Sequence, residues 1–297
     1  MKKTFTRVFA VLLTALLLCG VMPIMASAAD GIDITAAFTD PAFRAAVQAL
    51  IGKDVILDTD VAGITELDVS GDVYDGGSIK SLAGLEYFTA LEFLSCSHNQ
   101  ITELPDLPSS LEKLWCWDNQ LTTLPVLPSS LRELVCGGNQ LAALPTLPLG
   151  LEDLTCHDNQ LTVLPELPAN LRYLLCHSNQ LTSLPALPSN LITVWCHDNL
   201  LSTLPALPMG LKNLLCSDNQ LTSLDLTGLQ LEELWCFNNN MASKSAVKGF
   251  TGAWWAIDRD GNAKYVFYPQ RFWYAWPPFL QWILQYLLFG WLWMNWF

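Results

Sequence analysis

"LWCWDNQLTTLPVLPSSLRELVCGGNQL", residues 114–141, holds one full period of a twenty-residue pattern and the start of the next. The pattern L-x-x-L-x-C-x-x-N-Q-L-T-x-L-P-x-L-P-x-x runs almost without exception over residues 91–241. Its first part, L-x-x-L-x-C, alternates apolar and variable residues, which predicts a strand with one buried face. Asparagine follows where the strand ends: Asn99, Asn119, Asn139, Asn159, Asn179, Asn199, Asn219 and Asn239. Stacked one above another, these side chains can hydrogen-bond the turn backbones of neighbouring rungs. The return part, L-P-x-L-P, cannot be helical, because two prolines three residues apart remove amide donors and favour extended or polyproline geometry. Each period is therefore a thin rung, and the rungs stack with parallel strands about 4.8 Å apart.

Leu111, Leu114, Cys116, Asn119 and Leu121 occupy the places of the signature L-x-x-L-x-L-x-x-N-x-L, and Leu151, Leu154, Cys156, Asn159 and Leu161 do so again. The chain thus resembles the leucine-rich-repeat family. The resemblance implies an α/β-type solenoid dominated by parallel β-strands, right-handed, with an extended or polyproline convex side. The L-P-x-L-P repeats resemble those of secreted effectors from Gram-negative pathogens. Upstream, Ile79, Leu82, Leu85, Phe88 and Leu91 follow at three-residue steps. That spacing resembles the repeat style of internalins, the Gram-positive surface adhesins. "ITELDV", residues 64–69, reads as one irregular rung before the regular ones.

Open solenoid ends expose apolar rungs and need covers. "TDPAFRAAVQALIGK", residues 39–53, predicts a capping helix with Asp40 as N-cap and Pro41 as first helical residue. Phe43, Val47, Leu50 and Ile51 are its expected apolar stripe and Gly52 its end. "GAWWAIDRDGNAKYVFYP", residues 252–269, alternates around Asp-Gly and predicts a β-hairpin as the other cap. The expected organisation is a signal peptide over 1–28, an N-terminal cap and irregular repeats over 29–90, the solenoid over 91–241, a C-terminal cap over 242–271 and an aromatic-rich tail over 272–297.

Eight cysteines, Cys96 to Cys236, recur at the twenty-residue spacing. In the signature this is an inward leucine position, so the thiols are expected in the core as small buried hydrophobes. In-register side chains on parallel strands stand about 4.8 Å apart, whereas disulfides bring Cβ atoms to about 3.8 Å. Free thiols follow, with occasional bridges as the alternative, because an exported protein meets oxidants. A straight line of thiols cannot wrap a tetrahedral zinc ion.

The positions flanking the core residues should face outward from the strands, on the expected concave side. They carry Phe93, Trp115, Trp117, Tyr173, Trp195, Trp235 and Phe237. A contiguous aromatic patch predicts a surface for a protein or a glycan ligand, with packing along the ladder as the bland alternative. His157, His177 and His197 join this face on three consecutive rungs. Three in a straight row make a poor metal site, and repeat duplication alone accounts for them. No paired carboxylates, nucleophile elbow or phosphate loop stands out, so neither an enzyme nor a bound cofactor is expected. "DRDGN", residues 258–262, lacks calcium-loop spacing and reads as a turn.

The formal net charge of −13 disfavours nucleic acid as a partner. "MKKTFTR" followed by "VFAVLLTALLLCGV" and the small residues Ala26-Ser27-Ala28 predicts a cleaved secretory signal and hence a secreted or cell-surface protein. Cys19 raises a lipoprotein alternative, which Leu18 before it disfavours. The last 26 residues have no charge and hold Trp273, Trp276, Trp282, Trp291, Trp293 and Trp296. After Pro277-Pro278, 19 residues are just enough to cross a bilayer core, and tryptophan favours its interface. Membrane association is the favoured reading of this tail; docking on the solenoid end or a partner is the other.

Overall fold

The computed structural model describes residues 31–252 and 264–267. The expected signal peptide and tail lie outside these residues, as do Cys19 and the "DRDGN" turn.

Each L-x-x-L-x-C segment becomes a three-residue strand. β1 (Glu66–Asp68), β2 (Phe93–Ser95), β3 (Lys113–Trp115), β4 (Glu133–Val135), β5 (Asp153–Thr155), β6 (Tyr173–Leu175), β7 (Thr193–Trp195) and β8 (Asn213–Leu215) follow one another. A short strand, β9 (Leu224–Asp225), then precedes β10 (Glu233–Trp235), β11 (Val247–Lys248) and β12 (Tyr265–Val266). β1 to β8, β10 and β12 form one parallel ten-stranded sheet in sequence order. Register is uniform: Leu94, Leu114, Leu134, Leu154, Leu174, Val194 and Leu214 oppose one another in turn. β1 joins β2 in parallel through Leu67 and Leu94, so "ITELDV" does form the first, irregular rung.

Most repeat leucines and all eight ladder cysteines are buried; Leu107, Leu187, Leu204, Leu207 and Leu231 are partly so. Burying one leucine contributes about 1.5–3 kcal/mol, so repetition rather than any single contact builds the stability. Ile79, Leu82, Leu85, Phe88 and Leu91, the three-residue steps, enter the same core. On the return side there is no regular element across the L-P-x-L-P segments. Proline cannot donate there, and side chains supply some of the links between rungs. Ser130 Oγ donates to Leu111 O at 2.6 Å, and Asn190 Nδ2 to Ala169 O at 3.0 Å. Where the prolines stop, β9 and β11 pair in parallel as a separate two-stranded sheet.

The asparagine ladder is present as its spacing predicts. Asn119 Nδ2 donates to Cys96 O of the preceding rung at 3.0 Å, and Ile101 N donates to Asn119 Oδ1 at 3.0 Å. Just before each asparagine the backbone turns left-handed, with φ between 50° and 54° at Asp118, Asp158, Ser178, Asp198, Asp218 and others. Aspartate and asparagine tolerate this region better than most residues.

α1 (Pro41–Ile51) buries Phe43 and Val47 in the same core as the rungs. Asp40 Oδ1 accepts from Ala42 N and Phe43 N, and its Oδ2 accepts from Lys80 N and Ser81 N. The helix ends at Gly52, whose φ is 68°. Its buried face is narrower than the sequence suggests. Phe43 and Val47 are fully buried, but Leu50 is 54% exposed and leaves the expected stripe. Ile51, the next residue, still packs against the core, and Phe38, 5.4 Å from Phe43 ring to ring, is buried beside it.

Tyr265–Val266, the second arm of the expected hairpin, lies parallel to β10: Leu234 N donates to Lys264 O and Cys236 N to Val266 O, both at 2.8 Å. It adds another rung because the exposed edge of β10 offers a parallel ladder already in register. The first arm, residues 253–263, lies outside the described residues.

Candidate functional site

The outward side chains of the sheet form three groups. At the start, Phe93 meets Trp115 edge-on, with ring centroids 5.1 Å apart and planes at 81°. Trp115 Nε1 donates to Glu133 Oε1 at 2.7 Å, and Glu133 Oε2 lies 3.5 Å from Lys113 Nζ. Trp117 packs on His98 at 4.0 Å, and His98 Nδ1 is 3.1 Å from Asp118 Oδ2. In the middle, His157, His177 and His197 stack face to face. Their centroids are 4.5 and 4.3 Å apart, with planes 4° and 11° from parallel. Trp195 lies 6.3 Å from His177. At the end, Trp235 and Phe237 are 6.1 Å apart. Tyr173 stands apart from the other rings, with the Arg172 guanidinium 5.5 Å from its ring centre.

These residues are less exposed than the alternation predicts. Of the ten side chains singled out on this face, only Tyr173 is exposed, at 37%; the others are half-buried. Rungs about 4.8 Å apart are closer than aromatic rings are wide, so each ring leans on its neighbour. Packing along the ladder therefore occurs, and it leaves most of these side chains half-buried.

Electrostatics follow from that crowding. Burial pushes the His177 pKa down to about 4, reinforced by His197 and His157 and opposed by the Asp158 carboxylate. His197 is also lowered, first by burial. Asp153 is raised by burial and by the neighbouring Glu133 and Glu152 carboxylates. The thiols are at the other extreme: all eight described cysteines are free and buried, and burial raises Cys96, Cys136 and Cys196 to about 12. Such thiols are neither nucleophiles nor ready metal ligands.

Sequence reading overlooks the eighth position of each rung. His98 and Asp158 sit there, and the left-handed turn swings them back onto the seventh-position side chains. His157 Nδ1 lies 2.7 Å from Asp158 Oδ2. One donor atom from each of His157, Asp158 and His177 lies within 4.8 Å of the others. The signal that could have found this is the recurrence of aspartate immediately before the ladder asparagine.

Among the described residues, no helix is long and apolar enough to cross a membrane. No protein-family model matches the chain, and no curated protein matches it. Solved structures do. The functional domain of InlJ from Listeria monocytogenes, described as including a cysteine ladder, is 31% identical with a TM-score of 0.64. The match covers 71% of this chain and 48% of that one. YopM from Yersinia pestis, a leucine-rich effector protein, is 26% identical with a TM-score of 0.55, over 71% of this chain and 57% of that one. The chain thus spans about half the length of the structures it matches. Parallel register, the buried leucine columns, the asparagine ladder and these likenesses together make the chain a leucine-rich-repeat protein of the bacterial type. Solenoids of this class present extended binding surfaces and are typically interaction modules rather than enzymes.

Proposed function

We propose that this is an exported, envelope-associated protein that binds another protein through the outward face of its ten-stranded sheet. The observation that carries the reading is the row of aromatic and imidazole side chains from Phe93 to Phe237. Rigid rings held by their neighbours lose little freedom on binding, and aromatic side chains contribute most per contact at interfaces. Tyr173 and Arg172 offer the most accessible anchor on this face. The acidic surface favours a partner with basic character. The apolar tail and the leader support export and membrane attachment from sequence alone.

A glycan ligand is the second reading, since tryptophan faces can stack on sugars. The edge-on contact of Trp115 with Phe93 and the use of its Nε1 by Glu133 weigh against it.

The test is affinity capture with the purified chain, compared with its Tyr173→Ala and Trp195→Ala variants, each shown to be folded by circular dichroism. A partner retained by the parent chain and lost by the variants supports the reading; equal retention by all three overturns it. On a glycan array, tryptophan-dependent sugar binding would replace the protein reading with the glycan one. Cell fractionation of the full chain against one ending at Gln270 tests attachment. Equal release of both into the medium refutes it.

A further inference from the structure

We propose that His157, Asp158 and His177 form a binding site for one divalent transition-metal ion of the zinc class. Three imidazoles in a row cannot surround an ion, which is why the histidine column alone is unpromising. Asp158 changes the geometry. Its backbone is left-handed, at φ 50°, and its carboxylate returns to the His157 ring. One donor atom from each of the three residues thereby comes within 4.8 Å of the others.

A tetrahedral zinc ion has bonds of about 2.0–2.1 Å, which places its donor atoms roughly 3.4 Å apart. His157 and His177 are stacked 4° from parallel, so binding requires both rings to turn out of that stack until their in-plane lone pairs converge, with the exposed Asp158 carboxylate following, while the main chain stays fixed. Asp158 N donates to His177 O at 3.1 Å, tying the two rungs together at the site. Asn159 Nδ2 donates to His157 O at 3.0 Å and Asn179 Nδ2 to His177 O at 3.1 Å, so the ladder holds both histidine backbones. Sites built on such rigid frames keep their geometry.

The surroundings fit as well. Gly137 lies one rung before His157, and a Cβ there would stand 2.7 Å from the His157 ring; its absence makes the room the ring occupies. On the other flank His197 stacks on His177, with ring centroids 4.3 Å apart. Ser178 Oγ, 3.4 Å from His177 Nδ1, supplies an outer-shell partner. Two imidazole nitrogens and one carboxylate oxygen suit zinc, nickel or copper, whereas calcium and magnesium prefer sets of oxygen. Three protein donors leave a fourth position for water.

The experiment is calorimetric titration of the full-length protein with Zn2+ alone, alongside Co2+ absorption spectra. One equivalent should bind, and His177→Gln and Asp158→Asn should each weaken binding about tenfold or more. Asp158→Asn keeps the turn, since Asn238 adopts φ 51° at the equivalent position, so it remains informative if His177→Gln unfolds. Bound Co2+ should show visible bands without thiolate charge transfer. Absence of saturable binding, binding unchanged in Asp158→Asn, or a thiolate-to-cobalt band would each overturn the site.

Discussion

Asn219 and Cys196 sit on adjacent rungs, and the Asn219 Nδ2 donates to the Cys196 carbonyl at 2.9 Å. The same amide donates to Ser217 O at 3.0 Å, and its Oδ1 accepts from Leu201 N at 2.9 Å. Asn219 is fully buried, so one side chain satisfies backbone groups of two rungs that water cannot reach.

Replacing it should therefore cost more than its volume suggests. Asn219→Ala leaves several buried backbone groups unpaired, and the expected loss is about 3 kcal/mol. Asn219→Asp keeps the acceptor, removes the donors and adds a charge facing carbonyl oxygens, so it should do no better. Urea denaturation of the two variants checks both statements.

The thiol ladder should be chemically silent while the fold persists. Cys96, Cys136 and Cys196 are raised to about 12 by burial, and the other ladder cysteines are raised as well. At pH 8 a water-soluble thiol reagent should label none of the eight ladder positions in the native state and all of them in denaturant. Rapid labelling of native Cys156 would contradict the buried assignment.

Core identity at those positions can be probed by polarity at nearly constant size. Cys156→Ala removes only the contacts of one sulfur and should cost on the order of 1 kcal/mol. Cys156→Ser introduces a hydroxyl into an apolar column and should cost about 2 kcal/mol. Thermal melts that rank serine above alanine would refute this.

The N-terminal cap should be lost first in acid. Burial opposes ionisation of Asp40, but hydrogen bonds from the Lys80, Phe43, Ala42 and Ser81 amides outweigh it and hold the carboxyl below its usual range. A depressed folded pKa means stability that is fully present above the unfolded value, about 4, and disappears as pH falls through the folded one. Asp40→Ala should cost about 2 kcal/mol at pH 7 and flatten the acid dependence of α1 amide exchange.

Gly249 occupies a left-handed turn at φ 71°, and a Cβ there would stand 2.4 Å from the Thr227 Cα. Backbone cannot yield as a side chain would. Gly249→Ala should unfold the pairing of β9 with β11, seen as loss of amide protection at Leu226, whose N donates to Lys248 O at 2.9 Å. Unchanged protection would count against the turn as described.

Much of this architecture was legible in the repeat. Leu114, Cys116 and Leu121 face inward because a fixed period carries each residue type to the same place on every rung. Asn119 was legible for the same reason, and Asp40 and Gly52 were readable as helix ends from local chemistry. The departures share a different character. Leu50 matched the helical period but is exposed, while Ile51 beside it packs on the core. Tyr265 and Val266 read as a strand, and their parallel pairing with β10 depends on the edge that β10 offers. The outward rings matched strand alternation but closed on one another.

The periodic sequence by itself determined the solenoid, its buried columns and its ladder, because those depend only on which residue recurs at which step. Tertiary structure alone decided how neighbouring rungs share space: the tilt of Trp115 against Phe93, the stack of His157 on His177, and the return of Asp158 to its neighbour's ring. Those contacts arise from a left-handed turn and a rung spacing smaller than a ring, two features that no single period spells out.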